Sequence, residues 1–114
     1  MFPMDTSAQI GKRLSPVLRR HQVEKAILFG SFARADASPH SDVDLILVQR
    51  SKLRFFDRYD GLLFELAKAI PERDLEVLIY TPEELARMSS RPFIAQALQE
   101  GIVIYESGRG SSRS

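Results

Sequence analysis

Two short motifs in the first half of the chain carry groups that could bind phosphate and a metal ion. Gly30-Ser31 directly follows the apolar segment Val23–Phe29, and Asp42-Val-Asp44 opens the apolar segment Asp42–Val48. Residues 36–41 between them contain Asp, Ser and Pro, which favour a loop. The predicted order is therefore strand, Gly-Ser turn, short helix, loop, and a second strand that begins with two carboxylates.

Each motif suits one part of a metal–triphosphate site. Gly30 allows a sharp turn and lets a phosphate approach the backbone, because glycine has no β-carbon. Ser31 is predicted to begin a short helix over residues 31–35, whose free N–H groups and dipole favour an anion. Asp42 and Asp44 lie two apart on a strand, so both carboxylates point to the same face. Converging carboxylates repel each other unless a cation lies between them, and Mg²⁺ prefers such oxygen ligands.

Taken alone, each motif also has an ordinary structural explanation. A Gly-Ser pair before a helix is common, and an Asp-x-Asp at a strand start is more often a solvated strand end. We favour the metal–triphosphate site because the two motifs occur together, in an order that places them on neighbouring strands.

The combined pattern resembles the signature of a known enzyme superfamily. Gly30-Ser31-x-Ala33-Arg34, followed by Ser41-Asp42-x-Asp44-Leu45, is similar to the signature of DNA polymerase beta-like nucleotidyltransferases. More narrowly, the chain resembles the minimal nucleotidyltransferase (MNT) proteins of bacteria and archaea. The similarity runs from about Val23 to Tyr105 and includes the ending Glu100-Gly-Ile-Val-Ile-Tyr105.

The resemblance implies a reaction and a set of site residues. The reaction is transfer of a nucleoside monophosphate, with ATP as the expected substrate, by a two-metal mechanism that uses Mg²⁺. Carried over by position, Gly30 and Ser31 would bind the β- and γ-phosphates. Asp42 and Asp44 would hold the metal ions.

The family usually adds a third carboxylate, commonly Asp, from a neighbouring strand. The candidates here are Asp74 and Glu76, which share one face of the predicted strand Leu75–Tyr80. We favour Glu76, because it lies inside the apolar strand, where an unpaired charge is costly to bury. Asp74 is the alternative. A glutamate departs from the family pattern and puts turnover in more doubt than nucleotide binding.

Three residues near the motifs have less defined roles. Arg34 and Ser41 are expected to contact the nucleotide, but Arg34 could equally be a surface side chain and Ser41 a cap for the Asp42 loop. Ala35 stands where the family often has Gly, which could change the turn after Arg34.

The acceptor is expected on another polypeptide, because 114 residues leave no room for an acceptor-binding domain. The resemblance implies a helical HEPN protein as partner, in a toxin–antitoxin pair whose MNT member modifies the toxin. The alternative is a non-catalytic nucleotide-binding or partner-binding module, an antitoxin that neutralises its partner by contact. The base preference and homo-oligomerisation stay open.

Bulk composition narrows the remaining function classes. The net charge of +1 gives no electrostatic indication of nucleic-acid binding. The lack of cysteine excludes disulfides and thiolate metal sites. No apolar run approaches the roughly 20 residues that span a bilayer, so no membrane association and a cytoplasmic location are expected.

The elements that must position these residues are predicted from periodicity and from helix start and stop signals. They form an α/β (α+β) fold, in which helices pack on a mixed sheet in one domain over residues 1–106. A disordered tail is expected over residues 107–114. The first predicted helix spans Thr6–His21 and has a kink at Pro16, and the second spans Phe55–Ile70. One side of the second helix carries its apolar residues: Phe56, Tyr59, Leu63, Leu66 and Ile70. A third helix is predicted to start at Thr81, a fourth spans Pro92–Glu100 and stops at Gly101, and Ile102–Tyr105 is an expected edge strand.

Overall fold

Four strands form one mixed sheet with helices on both faces. The computed structural model describes residues 6–107, except the side chains of residues 55 and 56. The elements are α1 (Ser7–Arg20), β1 (Lys25–Phe29), β2 (Val43–Val48), α2 (Leu62–Ala69), β3 (Leu75–Tyr80), α3 (Pro82–Met88), α4 (Pro92–Glu100) and β4 (Ile102–Glu106). The sheet order is β3-β2-β1-β4; β2 and β3 are parallel, and the other pairs are antiparallel. The predicted fold class is confirmed.

Alternation along the central strands divides the core between the two faces of the sheet. Ala26 and Leu28 of β1 pack into a cluster that contains buried residues of α1 and α2, whereas Ile27 and Phe29 pack with Ile94 of α4. Successive side chains of a strand point to opposite faces, so both central strands are buried on both sides. This burial explains why β1 and β2 read as continuous apolar runs.

Two helix starts follow the sequence prediction closely. Thr6 before α1 and Thr81 before α3 each form a capping box, with Gln9 and Glu84 respectively. These reciprocal bonds satisfy N–H groups that the first helical turn leaves free. Helix α1 continues through Pro16, so the kink predicted there does not divide it.

Two predicted helices are shorter than expected. The stretch after Gly30 forms only a 3-10 turn over Gly30–Phe32 rather than a helix over residues 31–35. The predicted helix Phe55–Ile70 divides into a 3-10 turn, Phe55–Tyr59, and helix α2.

The break before α2 changes which of its side chains are buried. Gly61 has a φ of +77°, which cannot continue a right-handed helix. Leu62 is buried in place of the predicted Leu63, which is exposed, whereas Leu66 and Ile70 are buried as predicted.

Gly101 ends α4, but its role is not the left-handed cap expected of a C-terminal glycine. Its φ is −68°, and a β-carbon here would lie 2.5 Å from Ile27 Cγ2 and 2.7 Å from the Ala97 carbonyl oxygen. Glycine is therefore required by the close approach of α4 to β1.

Two further expectations concern the C-terminal tail and membrane association. The predicted tail lies outside the described residues except for Ser107, whose N–H donates to the Glu24 carbonyl at 2.9 Å. Within residues 6–107, no helix is both long and apolar enough to cross a bilayer.

Candidate active site

The strand register brings the two motifs together at one edge of the sheet. Phe29, the last residue of β1, pairs with Asp44 of β2, and Asp44 pairs with Glu76 of β3. The Gly30-Ser31 turn that follows β1 therefore begins beside the Asp44 and Glu76 backbone positions. Residues paired across adjacent strands share a face of the sheet, so the two carboxylates are neighbours.

Gly30 is required at this turn for two separate reasons. Its φ of +78° lies in the left-handed region, which is costly for residues with a β-carbon. In addition, a β-carbon would lie 2.2 Å from Asp44 Oδ2. The sequence predicted that Gly30 leaves space for a phosphate, whereas the group that occupies this space is the Asp44 carboxylate.

A cleft of about 480 Å³ collects the predicted site residues. Its volume lies within the range typical of small-molecule sites. All seven predicted residues line it: Gly30, Ser31, Arg34, Ser41, Asp42, Asp44 and Glu76. The remaining lining residues are Phe29 and, from α4, Phe93, Gln96, Ala97 and Glu100.

Glu76 lies in the cleft for a reason that differs from the sequence argument. Its side chain is exposed, so the expected cost of burying an unpaired charge does not arise. The parallel register places it beside Asp44 instead. Asp74 precedes the strand, and its carbonyl accepts the Val43 N–H at 2.9 Å, but it does not line the cleft.

The carboxylates of the cleft repel one another. Burial, followed by the negative charges of Glu76 and Asp42, raises the pKa of Asp44 to about 6. Arg34 opposes this rise. Partly buried acidic groups with too little positive charge nearby are a donor set suited to a hard cation.

The carboxylates do not form a complete metal cage. Within residues 6–107, no three Asp, Glu or His side chains are gathered closely enough to hold an ion by themselves. Mg²⁺ usually takes one or two protein carboxylates, together with water and substrate phosphates. Asp42, Asp44 and Glu76 fit that kind of shared coordination.

Arg73 fixes the loop that carries Asp42, and the sequence analysis did not identify it. Its guanidinium donates to the carbonyls of Ser38 and Ser41, both at 3.0 Å, and lies over the Phe32 ring at 4.7 Å from the centroid. The Ser41 hydroxyl accepts the Ser38 N–H at 2.8 Å. Ser41 therefore holds the loop in shape as well as lining the cleft.

Glu100 is a second residue that the sequence analysis missed. Its carboxylate accepts the Gly30 N–H at 2.9 Å and lies 3.4 Å from the Arg34 guanidinium, which also pairs with Asp36 at 3.3 Å. A carboxylate at the last position of a helix is unfavourable, because that end carries partial negative charge. This misplaced charge at the end of α4 was the signal available in the sequence.

A family model and several known proteins match the chain. The model for "Polymerase beta, Nucleotidyltransferase" matches residues 12–109. A candidate protein adenylyltransferase of Methanocaldococcus jannaschii is 32% identical over 72 residues, which cover 63% of this chain and 75% of that protein.

Solved structures of toxin–antitoxin complexes share the fold. One, crystallised with AMP-PNP, aligns with a TM-score of 0.65 at 20% identity, over 90% of this chain and 78% of that chain. Another contains a tri-AMPylated Shewanella oneidensis HEPN toxin in complex with MNT antitoxin. It aligns with a TM-score of 0.59 at 15% identity, over 95% and 79% of the two chains. The chain therefore belongs to the polymerase beta nucleotidyltransferase family and is a nucleotidyltransferase.

Proposed function

We propose that this protein transfers an adenylyl group from ATP to a hydroxyl of a partner protein in a Mg²⁺-dependent reaction. The observation that carries the proposal is one cleft in which the Gly30-Ser31 turn lies beside Asp42, Asp44 and Glu76. The choice of adenylyl is supported by the similarity to the M. jannaschii candidate protein adenylyltransferase and to the complex with AMP-PNP.

Asp42, Asp44 and Glu76 would hold the metal, which would neutralise the triphosphate and activate the acceptor hydroxyl. The Ser31 hydroxyl and the Arg34 guanidinium lie in the same cleft and would bind phosphate oxygens. During transfer, the acceptor hydroxyl would release its proton to a cleft carboxylate or to water as its oxygen bonds to the α-phosphorus, and the bond from that phosphorus to the bridging oxygen would break. Pyrophosphate is the leaving group.

The proposed acceptor is a helical HEPN-type partner, which would make this chain the antitoxin of a pair. The likeness to MNT antitoxin in complex with a tri-AMPylated HEPN toxin supports this assignment. The cleft is open to solvent at Glu76, so a hydroxyl of another protein can reach it.

The test is transfer of label from ATP labelled at the α-phosphate to the partner in the presence of Mg²⁺. Wild-type protein should label the partner. Asp44→Asn should lower the rate of labelling at least about 100-fold, because it removes a principal group that stabilises charge in the transition state. Asp57→Asn makes the same chemical change at an exposed residue outside this cleft and serves as the control. Labelling that survives Asp44→Asn or chelation of Mg²⁺ would contradict the mechanism.

A second candidate, a non-catalytic antitoxin, is favoured by one observation. The Glu100 carboxylate already accepts the Gly30 N–H and pairs with Arg34, two groups that a triphosphate would otherwise use. Tight partner binding by wild type, without label transfer, would support this candidate over the enzyme.

A further inference from the structure

One face of α4 forms the wall of the cleft beside the Gly30-Ser31 turn. Phe93, Gln96, Ala97 and Glu100 all line the cleft, and their spacing of three, four and seven residues places them on one side of a helix. At 1.5 Å per residue, the stretch from Phe93 to Glu100 is about 10 Å long.

The two ends of this face differ in charge. Glu100 contacts Gly30 and Arg34 at one end. Phe93, Gln96 and Ala97 contribute no charge at the other end. The proposed phosphate-binding groups, the Gly30-Ser31 turn and Arg34, also lie at the Glu100 end. The uncharged base of a bound nucleoside triphosphate would therefore lie towards Phe93 and Gln96.

Phe93 is exposed but held in place. Its side chain is 60% exposed, and its ring packs edge-on against the buried Phe29 ring, with centroids 5.7 Å apart and planes at 83°. Phe29 directly precedes Gly30, so Phe93 is anchored next to the turn at the end of β1. An anchored, accessible ring is a surface on which a flat base can stack.

Gln96 lies one helical turn after Phe93 and supplies hydrogen-bonding groups. It is exposed, and its amide makes no hydrogen bond within residues 6–107. A glutamine amide offers a donor and an acceptor side by side, the pattern that pairs with the N6 and N7 atoms of adenine.

We propose that this face of α4 is the nucleobase subsite, in which the base stacks on Phe93 and the Gln96 amide binds its edge. The inference rests on the proposed function, because it takes a nucleoside triphosphate as the ligand. It adds two specificity-determining residues, Phe93 for the aromatic base and Gln96 for adenine over guanine.

The test compares the affinity of the full chain for ATP, GTP and inorganic tripolyphosphate, all with Mg²⁺, by calorimetry. Phe93→Ala should weaken ATP binding about 5- to 100-fold, the range expected for loss of one stacked base. It should leave tripolyphosphate binding unchanged, and Phe93→Trp should restore ATP affinity. Gln96→Ala should reduce the preference for ATP over GTP. Phe64→Ala removes a 67% exposed phenylalanine outside the cleft and should change none of these affinities.

Several results would overturn the subsite. Equal weakening of ATP and tripolyphosphate by Phe93→Ala would show a structural role. Unchanged ATP affinity in Phe93→Ala, with weaker binding of the partner protein, would show that Phe93 is a partner contact. Wild type that binds ATP no more tightly than tripolyphosphate would overturn the subsite alone. Wild type that binds neither ligand would overturn the proposed nucleotide site as well.

Discussion

Backbone pairing between the parallel strands β2 and β3 brings Asp44 and Glu76 together, and it determines which acidic residues of β3 reach the cleft. A residue paired with Asp44 on β3 reaches the cleft, whereas Asp74, which precedes the strand, does not line it. The contribution of each carboxylate to Mg²⁺-dependent activity should follow this placement.

Glu76→Gln should therefore lower Mg²⁺-dependent transfer more than about 10-fold, because residues around a metal site commonly contribute 10- to 100-fold. Asp74→Asn should leave the rate nearly unchanged. Initial rates of label transfer at saturating Mg²⁺ measure both effects. The opposite ranking would identify Asp74 as the third carboxylate.

Ala35 is strained at the turn that follows Arg34. Its φ of 64° lies in the left-handed region, which costs an L-residue about 1–2 kcal/mol. Ala35→Gly relieves this strain, but glycine also has more backbone entropy to lose when the chain folds. The net effect should be a rise of up to about 1 kcal/mol in the free energy of unfolding. Urea unfolding measures the difference.

Ala33 provides the matched control for this prediction. Its φ is −69°, so Ala33→Gly relieves no strain and should destabilise the protein. A loss of stability in Ala35→Gly as large as that in Ala33→Gly would contradict the assignment of strain at residue 35.

Local and distant contacts differ in how well the sequence predicts them. Gly30, Asp42 and Asp44 could be identified because their chemistry depends on spacing within a short segment. Glu100 acts on Gly30 across 70 residues, and Arg73 acts on Ser41 across 32. Such partners depend on strand order, which a single sequence does not determine.

At the scale of elements, a buried ion pair joins the segment before α2 to the start of α3. The Arg58 side chain is only 5% exposed, and its guanidinium donates to both carboxylate oxygens of Glu84, at 2.5 and 2.9 Å. It also donates to the carbonyls of Leu53 and Ile79. Arg58 thereby ties the 3-10 turn, β3 and α3 together.

Glu84→Gln removes the negative charge but keeps a residue suited to the capping box. It should lower the free energy of unfolding by about 1–3 kcal/mol, because a hydrogen bond to a buried charge is lost. Glu72→Gln is the control: Glu72 pairs with Arg13 at an exposed site, where such pairs contribute at most about 1 kcal/mol. Equal effects in urea unfolding would show that burial of Arg58 is unimportant.

The same pair makes stability depend on acidity. The hydrogen bonds from Arg58 and then from the Thr81 backbone lower the pKa of Glu84 from 4.5 to about 2. Its contribution is fully present above pH 4.5 and is lost as the pH falls towards 2. The free energy of unfolding should be measured at high ionic strength, which screens the exposed Arg13–Glu72 pair. As the pH falls from 4.5 towards 2, it should decrease less steeply in Glu84→Gln than in wild type. Identical slopes would contradict this assignment.

The division of the predicted helix Phe55–Ile70 shows where periodicity fails at this scale. Apolar residues recur at helical spacing on both sides of Gly61, so the pattern alone predicts one helix. The Tyr59 hydroxyl accepts the Ile79 N–H at 3.0 Å, and Arg58 turns inwards to Glu84. These tertiary contacts favour a separate turn, and no local signal except Gly61 marks it.

At the scale of the whole molecule, the first helix packs directly on the last strand. Gly11 of α1 is buried, and a β-carbon there would lie 2.7 Å from the Ile104 carbonyl oxygen and 3.2 Å from its Cβ. The backbone of α1 can approach β4 this closely only because residue 11 has no side chain.

Gly11→Ala should lower the free energy of unfolding by about 1–2 kcal/mol, since an overpacking cost of about 1–3 kcal/mol exceeds the gain in helix propensity. Urea unfolding of the full chain measures it. Lys12→Ala, at an exposed position on the same helix, should stay within about 0.5 kcal/mol of wild type. A stabilising effect of Gly11→Ala would show that α1 does not contact β4 as described.

The order in which the molecule assembles follows from the contacts around the cleft. Contacts between residues distant in sequence form slowly during folding, and parallel strand pairs are among the slowest. The cleft depends on the parallel pair β2–β3 and on the Gly30–Glu100 contact, which joins residues 70 apart. A folding intermediate with its helices formed would therefore still lack the site. If nucleotide binds this cleft as proposed, recovery of binding after dilution from denaturant would report completed folding rather than collapse. A nucleotide that binds only the finished cleft would also shift the folding equilibrium towards the native state.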